Sequence, residues 1–410
     1  MGKGRRTERT LRAGGQPDVA PSFANAVPPP ASWAEWAAAK NHKARARDRW
    51  RCLADLDALG PRATLEGRAV VSFSSNDYLG LSVHPRVLAA AHEALERWGA
   101  GATASRLIGG SRPVHRELEA ELASWKGTEA ALVFPSGFAT NLGVLSALAG
   151  PGVLICGDAL NHASIVDGCR LAGALGAEVA TYPHQDDVAA EGLLRSWAGR
   201  AIVVTDTVFS MDGDAAPLSR LAEACAHHGA LLILDEAHAV LGPHPVRLPC
   251  PVLRVGTLSK MLGSQGGFAA GPKDIVDLLV NRCRPFIYTT GLAPASAAAA
   301  LAALRILRSE EGEHLMSKLQ RHAVRIAPSR EEPSPIVAVV TGSEASAIKA
   351  SAELLRRGLY VPAVRPPTVP PRSSRLRVSL SAAHSEEDIA RLMAAMADLG
   401  LASGASAGAC

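Results

Sequence analysis

Most of the candidate catalytic side chains of this chain lie in two short motifs. Asp235 and His238 follow an apolar run, residues 230–234, and Lys260 lies further on in a loop of small residues. The two motifs supply a carboxylate, an imidazole and an amine at the ends of neighbouring predicted strands. A single lysine is nearly always a solvated surface charge, so the prediction of a catalytic site depends on both motifs occurring in this order.

These groups match the needs of pyridoxal phosphate (PLP), a cofactor that serves as an electron sink. A partly desolvated Lys260 would offer a neutral amine to the aldehyde of the cofactor. Asp235 would keep the pyridine nitrogen protonated, because a carboxylate in hydrogen-bond contact raises the pKa of that nitrogen. His162 would stack on the ring, and His238 would donate to the phenolic oxygen. The sequence therefore predicts PLP as the cofactor.

Donors for the phosphate of this cofactor follow two predicted strands. Gly137 and Phe138 open a helix soon after the apolar run 130–134, so their backbone N–H groups and the helix dipole would favour an anion. Thr257 adds a hydroxyl shortly before Lys260. The predicted phosphate site therefore combines a helix N-terminus with one threonine.

Two alternative sites share some of these residues. The motif Asp235-Glu236-Ala237-His238 is also typical of the magnesium-binding strand of helicase-type NTPases, which requires a G-x-x-x-x-G-K-[ST] loop upstream. The chain contains no such loop. The histidines at 227, 228, 238 and 244 lack a metal-ligand pattern with supporting Cys or Glu, so no metal site is predicted.

The composition of the chain is that of a folded enzyme. Of 410 residues, 48% are apolar and 20% charged, and the formal net charge of +4 gives no reason to expect nucleic acid or a membrane as a partner. Seven cysteines without a C-x-x-C pair fit a reducing compartment, so the cytoplasm is predicted. No apolar run reaches the roughly 18 residues that are needed to cross a bilayer.

Apolar runs that alternate with helix-length segments predict the fold class. The runs 130–134, 153–156, 201–204 and 230–234 are apolar on both faces, which is typical of parallel strands in βαβ units. The predicted fold is α/β, with a mainly parallel central sheet in a large domain and a smaller α+β C-terminal domain. Ligands of such sheets bind beyond the carboxyl ends of the strands, where most of the candidate residues fall.

Five segments are predicted along the chain. The first is rich in arginine, glycine and proline without apolar periodicity, which is typical of disorder. Within the second, residues 33–59 are interpreted as an amphipathic helix. The segments are a disordered tail at 1–31, a helical arm at 32–75, a large PLP-binding domain at 76–293, a small α+β domain at 294–400 and a flexible tail at 401–410.

Ordered motifs along most of the chain resemble one enzyme family. The motifs are Asn76-Asp77-Tyr78-Leu79-Gly80-Leu81, Ser105-Arg106-Leu107-Ile108, Ser136-Gly137-Phe138-Ala139-Thr140-Asn141, Asn161-His162-Ala163-Ser164, Val208-Phe209-Ser210-Met211-Asp212-Gly213-Asp214, and residues 235–238 and 257–267. On these residues the chain resembles the α-oxoamine synthases, which have the PLP-dependent transferase fold type I. Enzymes of this family condense an amino acid with an acyl-CoA and release carbon dioxide.

Residues 364–370 and 375–384 resemble one branch of that family. Members of this branch condense L-alanine with a pimeloyl thioester, carried by CoA or by a carrier protein, in biotin synthesis. A sibling branch condenses glycine with acetyl-CoA, and some relatives are non-catalytic subunits that have lost the lysine. Since Lys260 is present, the resemblance favours an active enzyme.

The resemblance implies roles for further residues at the cofactor. Ser210 would contact the cofactor, beside Lys260, Asp235, His238 and His162. Gly137, Phe138 and Thr257 would bind its phosphate, as the local pattern already indicates. Thr289 and Thr290 would reach the phosphate in the neighbouring subunit, which implies a homodimer with its active site at the interface.

Substrate residues are implied in the same way. Asn76 and Arg377 would hold the carboxylate of the amino acid, since a guanidinium suits a planar anion. His162 and Thr368 would contact the substrate, and Arg51 would bind the acyl-CoA. The resemblance therefore predicts L-alanine and an acyl-CoA, a pimeloyl thioester, as the substrates.

Two segments depart from the pattern of the family. Residues 242–251 form a short, proline-rich stretch where relatives carry a longer loop, and residues 321–334 are trimmed. All of the residues with a chemical role remain. We therefore expect catalysis to survive, with altered local contacts to the acyl-CoA.

Overall fold

The structure, a computed structural model, describes residues 32–47, 49–244 and 247–401. The chain divides into two units, Met1–Arg51 and Cys52–Cys410. The predicted tail at 1–31, and all of the predicted tail at 401–410 except Leu401, lie outside the described residues. Part of the proline-rich stretch 242–251 lies outside them as well.

The described part of the first unit consists mainly of helix α1, Trp33–Arg45. Ser32 caps the helix, because its side chain accepts a hydrogen bond of 3.1 Å from the backbone N–H of Glu35. The sequence-based prediction of a helix over 33–59 is therefore confirmed as far as Arg45 and wrong beyond it. Leu56–Leu59 is a strand of the second unit.

That strand opens a small antiparallel meander of β1 (Leu56–Leu59), β2 (Arg62–Leu65) and β3 (Arg68–Ser72). Gly60 and Gly67 lie in its two turns with φ of 64° and 76°, a conformation that favours glycine. The predicted helical arm at 32–75 is thus corrected over 56–72. Such short strands become stable only by pairing with each other. The amphipathic pattern along the chain does not reveal this pairing, so it was interpreted as a helix.

The central sheet carries the candidate site. Its strand order is β4-β10-β9-β8-β7-β5-β6, and β10 is antiparallel to both of its neighbours. The parallel pairings of β5 with β6 and β7, of β7 with β8, and of β8 with β9 confirm the predicted α/β class. The strands are β4 (Ala130–Phe134), β5 (Val153–Asp158), β6 (Glu178–Tyr182), β7 (Arg200–Asp206), β8 (Leu231–Asp235), β9 (Val252–Thr257) and β10 (Gly267–Gly271).

Helices cover both faces of this sheet because its strands are apolar on both faces. Ile233 packs in one cluster together with side chains of α4 and α5, whereas its neighbours Leu232 and Leu234 pack in another with α6 and α7. The helices are α2 (Pro85–Trp98), α3 (Pro113–Lys126), α4 (Gly137–Leu148), α5 (Ala163–Ala174), α6 (Asp187–Arg195), α7 (Leu218–His228), α8 (Lys273–Arg282) and α9 (Arg284–Ile287). Two short turns of other helix types add Leu81–Val83 and Arg106–Gly110.

The C-terminal part of the chain mixes helices with a small sheet. In that sheet β14 pairs antiparallel with both β11 and β13, while β12 extends the meander by pairing parallel with β3. The elements are α10 (Pro294–Leu307), α11 (Glu310–Ile326), β11 (Ile336–Gly342), α12 (Glu344–Arg356), β12 (Leu359–Tyr360), β13 (Ala363–Val364), β14 (Ser374–Ser379) and α13 (Glu386–Asp398). The α+β character expected here agrees with these elements, and the domain boundary at residue 294 stays a prediction.

Three strands end side by side at one edge of the central sheet. Asp206 ends β7 and is the direct neighbour of Asp235, which ends β8. Thr257 ends β9, the next strand along. Their polar side chains therefore gather at the carboxyl edge, where open α/β sheets bind ligands.

Among the described residues, no helix combines the length and the apolar character that a membrane span requires.

Candidate active site

Lys260 lies in a chain of hydrogen-bonding groups whose middle members, His238 and Tyr78, are buried. Its Nζ atom is 2.7 Å from Nε2 of His238, and Nδ1 of His238 is 2.6 Å from the hydroxyl of Tyr78. The Tyr78 hydroxyl also lies within reach of Asn76 and donates to its Oδ1 atom over 3.1 Å. The structure therefore brings the predicted residues Lys260, His238 and Asn76 together. Tyr78 joins them; it is part of a motif named above, but the sequence analysis gave it no role.

Burial changes the protonation of this chain. It lowers the pKa of Lys260 to about 8; Asp235 and Asp206 oppose this shift, and Arg377 adds to it. Burial also lowers the pKa of His238 far below its ordinary value, and the positive charges of Lys260 and Arg377 act in the same direction. The imidazole is therefore neutral near pH 7, and a neutral form of the amine is accessible there.

Asp235 is held from two sides. Its Oδ2 atom accepts a hydrogen bond of 2.6 Å from Nδ2 of Asn141, and its Oδ1 atom accepts one of 2.9 Å from the backbone N–H of Ala237. Asn141 belongs to α4, which follows β4, so it reaches Asp235 from a different element. Sequence reasoning quoted Asn141 in a motif but assigned it no function.

Asp206 is a second buried carboxyl beside Asp235. Burial and the neighbouring charge of Asp235 raise the pKa of Asp206 well above its ordinary value. Its Oδ2 atom accepts a hydrogen bond of 2.7 Å from the backbone N–H of His162. Asp206 therefore holds a proton more tightly than an ordinary aspartate does. The apolar run 201–204 predicted a strand that ends near Asp206, but no role was assigned to this residue.

His162 is the N-cap of α5. Its Nδ1 atom accepts from the backbone N–H of Ser164 over 3.2 Å and lies 2.7 Å from the hydroxyl of the same serine. Burial lowers the pKa of His162, Lys260 adds to the effect and Asp235 opposes it. His162 thus lies close to Asp235 and Lys260 in a neutral state, and its stacking role stays a prediction.

The predicted phosphate residues meet at the start of α4. Gly137 is the first residue of this helix, and Ser136 caps it by accepting from the backbone N–H of Ala139 over 3.1 Å. A Cβ atom on Gly137 would be 3.4 Å from Cβ of Thr257, so the helix begins directly against that threonine. Phe138 follows with a side chain that is 46% exposed.

Arg377 connects three separate segments. Its Nε atom donates to the backbone carbonyl of Ser210 over 2.6 Å, and its Nη1 atom donates to Oδ1 of Asn76 and to the hydroxyl of Ser379 over 3.1 and 2.7 Å. Arg377 lies on β14, Ser210 follows β7, and Asn76 follows β3. Three predicted residues therefore converge, although the side chain of Ser210 is not what Arg377 contacts.

The loop that carries Ser210 is held by charged residues which sequence reasoning did not select for this purpose. Nδ1 of His184 is 3.0 Å from Asp158 and its Nε2 atom is 2.9 Å from Asp214. Burial opposes a charge on His184, but hydrogen bonds to both carboxylates raise its pKa to about 9. Arg375 forms an ion pair with Asp212 of the same loop. No strand was predicted before His184 and no quoted motif includes it, so the sequence offered no signal for this role.

The other predicted residues lie outside this buried group. Thr289 is half-buried and Thr290 exposed in the segment after α9, and Thr368 is exposed in a turn in which its N–H donates to the carbonyl of Arg365 over 3.1 Å. Arg51 belongs to the first unit. The roles assigned to these four residues stay predictions.

The chemistry of the assembled groups fits PLP. A buried amine with a lowered pKa, a carboxylate held by two N–H donors and a helix N-terminus lie at the carboxyl ends of β9, β8 and β4. They match the aldehyde, the pyridine nitrogen and the phosphate of the cofactor. Among the described residues, no cluster of three or more His, Cys, Asp or Glu side chains is arranged to hold a metal ion.

Comparison with protein families shows to which family this chain belongs. Residues 68–396 match the model of the aminotransferase class I and II family. The chain belongs to this family. The match begins at β3, the last strand of the meander, and covers the central sheet and nearly all of the C-terminal elements, so it spans all of the buried groups described above.

Individual relatives agree with this assignment. The 8-amino-7-oxononanoate synthase of Anaeromyxobacter dehalogenans is 48% identical over 356 residues, which cover 83% of this chain and 89% of the relative. A serine palmitoyltransferase variant from S. paucimobilis, solved with PLP and myriocin bound, has a TM-score of 0.81 at 29% identity and covers 89% of this chain and 98% of its own. The 8-amino-7-oxononanoate synthase from Francisella tularensis has a TM-score of 0.68 at 25% identity, covering 81% and 98%. The predicted family resemblance and fold class are confirmed.

Proposed function

We propose that this chain is a PLP-dependent 8-amino-7-oxononanoate synthase. It condenses L-alanine with a pimeloyl thioester to 8-amino-7-oxononanoate, which is a step of biotin biosynthesis. The reaction releases carbon dioxide and the thiol that carried the pimeloyl group, which is CoA or a carrier protein. The observation that carries the proposal is the buried amine of Lys260, whose pKa is lowered to about 8 and which lies 2.7 Å from a neutral His238. The relatives at 48% identity that bear this name support the choice of reaction.

PLP, when bound, draws electrons from the α-carbon of the amino acid through its protonated pyridine ring. Asp235 would hold the pyridine nitrogen with the carboxylate that Asn141 and Ala237 orient. Gly137, Phe138 and Thr257 would bind the phosphate at the N-terminus of α4. Anchoring at both ends would keep the ring in one orientation, which is what this chemistry requires of a protein.

Lys260 acts as the base that moves the α-proton of the amino acid. Its Nζ atom can accept a proton because burial keeps a neutral form accessible near pH 8. His238 presents Nε2 to this amine and Nδ1 to Tyr78, so the lysine is oriented by a partner that is itself held in place. The proton then returns from the same atom to the carbon that has lost carbon dioxide.

Arg377 binds the carboxylate of the amino acid. Its guanidinium is held by the carbonyl of Ser210, by Asn76 and by Ser379, and it is buried, so it is positioned before substrate arrives. Fixing the carboxylate determines which bond of the α-carbon stands perpendicular to the cofactor ring. Thr368 and Arg51 are proposed to contact the substrate and the acyl thioester.

The working form is proposed to be a homodimer with the active site at its interface. Thr289 and Thr290 would reach the phosphate of the neighbouring subunit, and both follow α9 next to Tyr288, whose side chain is 70% exposed. Leu107 and Ile108 are 52% and 85% exposed. Large apolar side chains exposed in this way are typical of surfaces that a partner covers.

The cytoplasm is the proposed location. The seven cysteines are scattered along the chain without a C-x-x-C pair, which is typical of a reducing compartment. Six of them, Cys52, Cys156, Cys169, Cys225, Cys250 and Cys283, are free thiols in the described residues. A biosynthetic enzyme that uses CoA thioesters would find its substrates there.

Identification of the product by mass spectrometry tests the reaction. The purified protein, supplied with PLP, L-alanine and pimeloyl-CoA, is expected to form 8-amino-7-oxononanoate and to release free CoA. Glycine with acetyl-CoA, over a series of acyl chain lengths, is the competing pair. A strict preference for glycine would assign the chain to the sibling branch of the family instead.

A Lys260→Ala variant separates catalysis from a purely binding role. The wild-type protein with PLP is expected to absorb near the visible edge, and the variant is expected to lose that band and the product together. Retention of the band and of full turnover in the variant would remove the basis of the proposed function. If this chain were a non-catalytic PLP-fold subunit that has kept Lys260, it would form the band but no product from any amino acid.

A further inference from the structure

We propose that Asn141 and Ser164 form a hydrogen-bond relay from Asp235 to His162, and that this relay fixes His162 as the neutral tautomer protonated on Nε2. The relay consists of the four side chains Asp235, Asn141, Ser164 and His162. Asn141 and Ser164 are positioning residues, because they act through Asp235 and His162.

The amide of Asn141 can take only one orientation. Its Nδ2 atom lies 2.6 Å from Oδ2 of Asp235 and 2.9 Å from the hydroxyl of Ser164. The opposite orientation would place the carbonyl oxygen of the amide against a carboxylate oxygen, which is a contact between two acceptors. The Oδ1 atom of Asn141 is left without a hydrogen-bond partner among the described residues, although the side chain is buried. The carboxylate therefore determines how the amide is turned.

The hydroxyl of Ser164 is then committed as well. It accepts a hydrogen from Nδ2 of Asn141, so its own single hydrogen is free for the other neighbour, Nδ1 of His162, at 2.7 Å. Ser164 is 1% exposed, which leaves no room for competition from bulk solvent. The direction of donation thus runs from Asn141 through Ser164 to His162.

A second donor points at the same atom of His162. The backbone N–H of Ser164 lies 3.2 Å from Nδ1 as part of the cap of α5. A proton on Nδ1 would face both this N–H group and the committed hydroxyl. Nδ1 is therefore an acceptor, and a neutral imidazole must then carry its hydrogen on Nε2.

The surrounding charges agree with a neutral ring. Burial lowers the pKa of His162, and the positive charge of Lys260 lowers it further, against the opposing effect of Asp235. Asp206 faces the backbone of His162 rather than its ring, and burial and the charge of Asp235 raise its own pKa. His238, the other imidazole nearby, is neutral too.

The consequence for catalysis rests on the proposed function. A positively charged His162 would pair with Asp235 and compete for the carboxylate that holds the pyridine nitrogen. A neutral His162 leaves the charge of Asp235 to the cofactor and presents an uncharged ring. The relay therefore links Asp235, the residue proposed to hold the pyridine nitrogen, to the protonation state of His162, the residue predicted to lie on the face of the ring.

Nitrogen NMR of the full-length protein with ¹⁵N-labelled histidine tests the relay without reference to activity. A His162→Gln variant identifies the signals of His162. Ser164→Ala removes the middle of the relay, and Ser146→Ala is the matched control. Ser146 lies on α4 and donates only to the carbonyl of Gly143, so this variant also loses one hydrogen bond from a serine to an acceptor.

In the wild-type protein, Nδ1 of His162 is expected to be unprotonated and Nε2 protonated, down to about pH 6, below which an ordinary imidazole is mostly charged. Ser164→Ala is expected to raise the pKa of His162, so that a measurable fraction of imidazolium forms at that pH. Ser146→Ala is expected to match the wild type. A proton on Nδ1 in the wild-type protein, or identical titrations of wild type and Ser164→Ala, would overturn the inference.

Titration of PLP binding adds a second measurement. Asn141→Ala is expected to weaken the affinity for PLP about tenfold, corresponding to roughly 1.4 kcal/mol, and to shift the pH at which the cofactor absorbance changes. Unchanged affinity and an unchanged pH profile would count against a role for the relay at the cofactor. Failure of the wild-type protein to bind PLP at all would end the proposed function, and the NMR result would still decide the tautomer.

Discussion

At the scale of single residues, the chemistry of Lys260 depends on where its amine is buried. A lysine in water stays charged at pH 7, whereas this one has a pKa of about 8 because desolvation penalises its charge. The carboxyls of Asp235 and Asp206 limit that shift. The residue can therefore both react with an aldehyde and accept a proton, which a surface lysine such as Lys273 does not do near neutral pH.

This protonation state predicts how the cofactor-free protein captures PLP. A lowered pKa means that the neutral amine is minor below about pH 8 and dominant above it. The rate of capture, followed by absorbance, is expected to rise about tenfold per pH unit up to pH 8 and then to level off. Lys260→Arg, which stays charged, should capture no PLP at any pH. Lys273→Ala should behave like the wild type, and a flat pH profile would contradict the assignment of Lys260.

At the scale of elements, the site depends on how loops and helix ends are held against the sheet. The loop after β7 carries Ser210, whose carbonyl holds Arg377, and His184 fixes this loop by contacting Asp158 and Asp214. Both ring nitrogens of His184 face carboxylates, so both must carry hydrogens. The contact therefore exists only while His184 is charged.

A His184→Gln variant tests this contact. The folded pKa of about 9 lies above the ordinary value of 6.5, so the stabilisation is fully present below pH 6.5 and is lost as the pH rises through 9. The wild-type protein is expected to lose stability to urea between pH 6.5 and 9, and the variant to lose less. The variant should also raise KM for L-alanine more than it lowers kcat, since Arg377 would be less well held. Equal pH dependence in both proteins would refute the contact, and His314→Gln, an exposed histidine on α11, serves as the control.

The first residue of β10 sets how closely the helix α4 approaches the sheet. A Cβ atom on Gly267 would lie 2.6 Å from the backbone nitrogen of Gly137 and 2.5 Å from the hydroxyl of Thr140. Gly267→Ala must therefore displace the N-terminus of α4, at a cost of about 1–3 kcal/mol. PLP affinity is expected to fall about tenfold or more. Gly150→Ala, where a Cβ atom would meet nothing within 4 Å, should leave it unchanged; unchanged affinity in both would argue against phosphate binding at this helix.

At the scale of the whole molecule, stability includes a buried cluster of charges next to the site. Glu236, 3% exposed, forms ion pairs with Lys126 at the end of α3 and with Arg254 on β9. Burial alone would raise the pKa of Glu236, but the two cations hold it below its ordinary value. The cluster joins a helix to two strands of the central sheet.

Removing the carboxylate of this cluster leaves two buried cations without it. Glu236→Gln is therefore expected to lower the free energy of unfolding by about 3–5 kcal/mol, measured by urea denaturation. Glu311→Gln removes an exposed carboxylate that contacts Arg86 and His84, and it should cause no measurable change. Equal effects of both substitutions would show that the buried cluster does not stabilise the fold.

Assembly of two subunits is tested by mixing defective chains. Lys260→Ala and the double variant Thr289→Ala/Thr290→Ala, co-expressed with two different tags, would form mixed dimers with one intact site if the threonines act in the neighbouring subunit. Activity of the doubly purified dimer at limiting PLP is expected to exceed that of either variant alone. Activity no higher than that of the parents would place the threonines and Lys260 in the same subunit.

The sequence by itself determined the architecture and most of the buried site. Runs such as 130–134 and 230–234 are apolar on both faces, and this local pattern predicts a covered parallel sheet with its ligand groups at the carboxyl ends. For that reason Asp235, Lys260, His238 and Thr257 were expected at this edge of the sheet, whereas Arg377 and Asn76 followed from the resemblance to a family, and the roles of all six residues stay predictions. The order of apolar and polar residues along a short stretch, by contrast, did not show that 56–72 forms the strands of the meander and not a helix.

Only the tertiary structure decided which groups tune these residues. Asn141 contacts Asp235 across 94 positions of the chain, and His184 joins a carboxylate at the end of β5 to one in the loop after β7. Contacts of this kind arise when folding brings distant segments together, and no local periodicity encodes them. Burial acts in the same way, because the lowered pKa of Lys260 comes from the surrounding protein rather than from its neighbours in sequence.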